Sequence, residues 1–152
     1  MAGYGDGIFA PDDPLSRGML AQIPYNREGR PAVSGTLPFA DVSGEDWYAD
    51  AIAWAAANGI VEGYGDGNYG PGDSATWEQL IALLYRYAQY KGYDVSAGNG
   101  STSGSSQVSQ WAQAAMEWAL GAGVLEENDA LSSGAVITRA QAAVILLWLG
   151  TV

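Results

Sequence analysis

The side chains of this chain that could act on a substrate or hold an ion are chiefly carboxylates and arginines. Its 152 residues include 17 Asp plus Glu and 6 Lys plus Arg, with no Cys and no His. Without Cys there is no thiol nucleophile, disulfide or Cys-based zinc site. Without His the usual general base and the commonest metal ligand are missing. Two adjacent carboxylate pairs, Glu45-Asp46 and Glu126-Glu127, raise glycoside hydrolysis, which needs two carboxylates at a set separation. Adjacent carboxylates in loops are ordinarily solvated charge, so no catalytic residue is assigned and the chain is not expected to be an enzyme. The stretch GYGDG, at 3–7 and again at 63–67, raises two further chemistries. An EF-hand starting at Asp66 would need oxygen ligands where Gly70 and Trp77 stand. A dinucleotide fingerprint needs a strand before its glycines and a helix directly after, whereas a helical pattern precedes this one and a long loop follows. No metal and no cofactor are expected. The net charge of -11 repels polyanions, so nucleic acid is not expected as a partner. No run of about 18 apolar residues is present to insert into a bilayer.

The elements that would position these residues are written more than once. Sliding the chain by 60 residues sets Gly3–Gly7 on Gly63–Gly67, Phe9 on Tyr69, Pro11 on Pro71, Ser16 on Thr76 and Leu20 on Leu80. An offset of 64 sets Trp47, Trp54 and Gly59 on Trp111, Trp118 and Gly123. A third match sets Thr76-Trp77-Glu78-Gln79 on Thr138-Arg139-Ala140-Gln141. Repeats of this length imply stacked supersecondary units, none able to bury a core alone. Each unit reads helix, loop, helix. The spacing of Trp47, Ala51, Trp54, Ala55 and Asn58 places them on one helical face, and Asn58-Gly59 stops that helix. Thr76 with Gln79, and Thr138 with Gln141, predict capping boxes. Asp66 between two glycines predicts an Asx-turn. Helices are expected near 47–58, 76–91, 110–121 and 138–149, with Trp47, Trp54, Trp111 and Trp118 buried. Exposure of two of these would show the repeat register to be wrong.

These features together resemble the S-layer homology (SLH) family, modules that hold bacterial proteins on the outside of the cell wall. The resemblance rests on Phe39-Ala40-Asp41-Val42, Trp47, Ala51-Ile52, Asn58-Gly59-Ile60, the run from Gly63 to Pro71, and Thr76-Trp77-Glu78-Gln79. It implies a mainly α fold of helix–loop–helix repeats in a pseudo-threefold helical spindle. It also implies that an anionic, often pyruvylated, secondary cell-wall polysaccharide binds in grooves between repeats, with an Arg at a helix start as a principal anion contact. Such an Arg adds a fork of donors to the free N–H groups of a helix N-terminus.

Carried onto this sequence, the resemblance selects Ser16 with Arg17, Thr138 with Arg139, Thr76 with Trp77, and Asp41, Trp47 and Gly63 as ligand-binding candidates. The middle unit has Trp77 in place of its Arg, so restoring Arg there is expected to add an anion contact. The third unit reads Leu125-Glu126-Glu127-Asn128-Asp129 where GYGDG would stand. About two and a half repeats are expected: a partial first unit at 1–36, a complete second at 37–96, a flexible linker at 97–107 and a degenerate third at 108–152. The first unit's Phe9, Leu15, Leu20 and Ile23 need cover, which closure onto the third unit supplies more readily than a homodimer. Pro24 disfavours the interior of that unit's helix. The expected role is wall anchoring at the bacterial cell surface, with any export signal on a longer precursor. The alternative is the same scaffold turned to a protein partner, with Trp77 as interface anchor.

Overall fold

The computed structural model of the chain describes residues 13–33, 37–93, 109–121 and 135–149. Regular structure among them is helical: α1 (Arg17–Arg27), α2 (Ala49–Ala57), α3 (Trp77–Tyr90), a 3₁₀ turn (Gln110–Ala112) leading into α4 (Gln113–Gly121), and α5 (Arg139–Leu149). The mainly helical class matches the expectation. Residues 1–12 and 94–108, which hold the first GYGDG, Phe9 and the expected linker, lie outside the described residues, as does 122–134.

Helix ends follow the local chemistry. Thr76 Oγ1 accepts from the Gln79 N–H while the Gln79 side chain accepts from the Thr76 N–H, and Thr138 and Gln141 do the same. Ser16 Oγ accepts from the Met19 N–H, but Met19 has no acceptor to return. At the end of α2, Gly59 takes φ of 70°, which lets the Ile60 N–H reach the Ala55 carbonyl and turns Ile60 into the core. α1 runs through Pro24 and ends three residues later, with the Glu28 N–H closing on the Pro24 carbonyl.

Helices pair across the expected unit boundaries, α1 on α2 and α3 on α4. Below them a ring of extended backbone closes the chain on itself. Leu15 N–H donates to Ile137 O at 3.0 Å, Ile137 N–H to Ala75 O at 3.0 Å, and Ala75 N–H to Leu15 O at 2.6 Å. A second cycle encloses the first. Arg17 N–H donates to Asp73 O, Trp77 N–H to Ala135 O, and Arg139 N–H to Asp13 O. The equivalences behind both cycles are those read from the sequence. Leu15, Ala75 and Ile137 have no exposed surface, so each ring bond is sealed from water. Residues 13–15 are therefore paired with 137–139 of the same chain, and Leu15 and Leu20 are buried.

One expectation fails. Trp54 and Trp118 are buried, but Trp47 is 60% and Trp111 55% exposed. The reason is the start of each helix. α2 begins at Ala49, after a turn in which Asp46 N–H donates to Ser43 O, and Trp111 sits in the 3₁₀ turn before α4. Neither ring stands on the α-helical face that the spacing assumed. By the criterion of two exposed rings, this outcome goes against the register at these two positions, although the two exposed rings are equivalents at offset 64, as are the two buried ones.

The ring makes a stability prediction. Ile137→Ala is expected to cost about 2–5 kcal/mol, as for a fully buried Ile, with far-ultraviolet and aromatic circular dichroism still melting together in urea. Separate transitions would show that the units are not joined as described.

Candidate functional site

The loop after α2 is built around its own backbone and two carboxylates. Asp66 Oδ1 accepts from the Asn68 N–H, the expected Asx-turn, and Tyr64 N–H donates to Asn68 O. Asp41 reaches in from the preceding segment, accepting from the N–H groups of Tyr69 at 2.9 Å and Gly70 at 2.8 Å. Phe39 packs on the Tyr69 ring with centroids 5.3 Å apart. Gly63 is required here by space: a Cβ would stand 2.5 Å from the Phe39 ring and 2.6 Å from Asn68 O. Partial burial raises the Asp41 pKa, but those backbone donors and the Arg17 charge outweigh it and hold the carboxyl below its ordinary range.

Arg17, from the first turn of α1, is inserted into this loop. Its Nε donates to Tyr69 O at 2.8 Å and its Nη2 to Glu62 O at 3.1 Å. The guanidinium carbon lies 4.5 Å from the centroids of both the Tyr64 and Tyr69 rings. Each such contact is worth roughly 0.5–2 kcal/mol, more as water is excluded. The Tyr69 hydroxyl returns a bond to Arg17 O at 2.9 Å, and burial pushes its pKa up to about 12, so it remains a donor. The Tyr64 hydroxyl donates to Asp73. These contacts offset the cost of burying the guanidinium, which is 6% exposed.

Arg17 forms one wall of a groove of about 390 Å³. Tyr64 stands beside it, Gln79, Leu83 and Arg86 project from α3, and Trp111 approaches from the start of α4. The three expected units thus meet at one cavity. Arg86 contacts the Glu62 carboxylate at 3.6 Å. Two guanidiniums and an exposed indole thus stand around one concave surface, positive charge beside an aromatic face.

The sequence candidates are distributed unevenly. Arg17 and Gly63 line the groove. Asp41 fixes its loop, while Ser16, Thr76 and Thr138 cap helices. Trp77 is 8% and Arg139 1% exposed, each at a helix start of the ring. Trp47 lies outside the groove, its carbonyl accepting from Gln22 Nε2. Tyr64, Gln79, Arg86 and Trp111 were not among the candidates. The signal for two of them was present, since Gln79 and Arg86 are seven residues apart on one face of α3.

The S-layer homology domain profile matches residues 1–18 and 38–81. The surface-layer 125 kDa protein of Lysinibacillus sphaericus is 32% identical over 149 residues, 94% of this chain and 12% of that protein. The chain belongs to the SLH domain family. An amylopullulanase of Thermoanaerobacterium thermosulfurigenes is 37% identical over 114 residues, 71% of this chain and 6% of the enzyme. A cellulosome-anchoring protein of Acetivibrio thermocellus is 22% identical over 152 residues, 96% of the chain and 34% of that protein. The chain spans about a tenth of the length of the first two. SLH domains are non-catalytic modules, and membership indicates cell-surface anchoring. Among the described residues no helix is long and apolar enough to cross a membrane, and no cluster of acidic residues is placed to hold a metal.

Two predictions follow from the loop and the helix starts. Because the folded pKa of Asp41 is lowered, its stabilisation is complete above the unfolded value near 3.9 and is lost as pH falls through the folded value. The stability gap between wild type and Asp41→Asn should therefore be wide at pH 6 and narrow at pH 3; an unchanged gap contradicts this. Trp77→Arg removes a buried indole and sets a guanidinium at a position whose facing strand has no GYGDG upstream. It is expected to lower the thermal midpoint rather than add an anion site, as read by melting and wall binding together.

Proposed function

We propose that this SLH domain anchors its protein to the bacterial cell wall by holding an anionic wall polysaccharide, of the pyruvylated kind, in the Arg17–Arg86–Trp111 groove. The observation that supports this most is the pair of guanidiniums beside an exposed indole in a protein of net charge -11. On so acidic a surface, attraction of an anionic sugar has to be local, and the groove is where cations are fixed. Arg17 is already committed to the loop, so its main part is to shape the wall and lend charge. Among the described residues Arg86 meets the Glu62 carboxylate at 3.6 Å, a loose contact that a ligand can replace. A ligand carboxylate would take the place of Glu62.

The alternative of a protein partner drew on the lost Arg of the middle unit, the partial first unit, the aromatic content and the acidic charge, with Trp77 as its expected interface anchor. Of these the structure bears against the anchor, because Trp77 is buried.

The test uses wall sacculi before and after their secondary polymer is stripped. Retention is expected on the first and not on the second, and equal retention on both would sink the proposal. Arg86→Ala should weaken retention by about 1.5–3 kcal/mol, the worth of a charge-assisted contact. Glu62→Gln should strengthen it by removing the competing carboxylate. Added salt should weaken wild-type binding, because partly exposed charges are screened.

A further inference from the structure

Glu78 is a carboxylate buried to 6% exposure in the first turn of α3, at a position where α1 carries Gly18 and α5 carries Ala140. Neither equivalent can do what it does. Glu78 Oε2 accepts from the Ser109 N–H at 3.0 Å and Oε1 from the Ser109 hydroxyl at 2.6 Å. Ser109 is the residue before the 3₁₀ turn, and its own carbonyl accepts from the Ala112 N–H to close that turn. Trp111 lies inside the turn and forms the far wall of the groove. At the other junction, where Trp47 is the equivalent ring, Gly18 leaves room for the Tyr48 ring, 3.0 Å from where a Cβ would stand. The α1–α2 junction is thus fitted by an aromatic ring and the α3–α4 junction by a charged clasp.

We propose that Glu78 is a positioning residue for the groove: through its two bonds to Ser109 it fixes the turn that sets the Trp111 ring across from Arg17 and Arg86. The clasp is strong for physical reasons. A carboxylate in the first turn of a helix meets the positive end of the helix dipole. Bonds to an ionised acceptor are shorter and roughly twice as strong as neutral ones. Glu78 itself is buried, so the two bonds to Ser109 act in partly desolvated surroundings. The turn itself is short, and a three-residue 3₁₀ segment has little internal strength to hold a large exposed ring. Without the clasp, Trp111 would sample many orientations, and the ligand would have to order it on binding, which costs affinity. This rests on the wall-polysaccharide reading for its consequence in binding, but not for the placement of the ring.

The test separates the two. Fluorine NMR of protein labelled with 5-fluorotryptophan reports on each indole without any ligand, and Trp111→Phe identifies the Trp111 signal. Glu78→Ala is expected to shift or broaden that signal while the Trp47 signal stays in place. Glu78→Gln, which keeps an acceptor for the Ser109 N–H, should restore it. On sacculi that retain their secondary polymer, Glu78→Ala should weaken retention about tenfold, and in a Trp111→Ala background it should have no further effect. If Glu78→Ala does not fold, Ser109→Ala carries the same expectations at smaller size. A Trp111 signal unmoved by the folded variant overturns the proposal. So does an equal loss of retention with and without Trp111, since Glu78 would then act elsewhere. If wild type ignores the sacculi while the signal moves as expected, the positioning role stands and the wall reading fails.

Discussion

The structure depends on a closed cycle of three backbone hydrogen bonds joining Leu15, Ala75 and Ile137. These residues come from three parts of the sequence, and each bond is buried. A buried N–H without an acceptor costs about 1–3 kcal/mol, so no member of the cycle can leave without stranding the other two. Two residues further along each segment, the outer cycle fixes the backbone of Arg17, Trp77 and Arg139 at the starts of α1, α3 and α5. The helix starts are thereby held at set positions. From that follow the crossing of α1 with α2, the approach of α4 to α3, and the groove between them.

The outer cycle also couples residue types that stand far apart in the sequence. The carbonyls that receive Arg17 and Arg139 belong to Asp73 and Asp13, and GYGDG begins ten residues before each, at Gly63 and Gly3. The carbonyl that receives Trp77 belongs to Ala135, and ten residues before it stands Leu125 of Leu125-Glu126-Glu127. An arginine starts the helix where the facing segment carries the motif, and a tryptophan where it does not. Around Arg17 the reason is visible. The loop supplies two carbonyls and two aromatic rings, which together meet the cost of burying a guanidinium. Gly65 and Gly67 take positive φ in the turn between Glu62 and Tyr69, whose carbonyls accept from the cation. The motif and the arginine form one unit, and the charge that a ligand would meet is secondary to that partnership.

Much of this was legible in the residues. Capping boxes at Thr76 and Thr138, the stop at Gly59 and the turn at Asp66 are local effects, and each is observed. The mainly helical class and the repeat offsets followed from periodicity and self-similarity. What was missed depends on where a helix begins or on contacts between distant segments. Trp47 and Trp111 have the spacing of core residues, yet the α-helix starts two residues after each, so the spacing does not place them. Arg86 was one cation among six until α3 turned it toward the loop of Glu62. Glu78 belonged to a four-residue match and carried no signal of its own, because its partner Ser109 lies 31 residues away. The ring shows no strand periodicity, since each segment contributes only a few extended residues.

Native-state hydrogen exchange at the amides of Leu15, Ala75 and Ile137 tests the central claim most directly. If the cycle is the common support of the fold, all three exchange only through global unfolding, with one free energy that matches the stability from urea denaturation. A ring amide that exchanges through a local opening, at lower free energy than the other two, would contradict it.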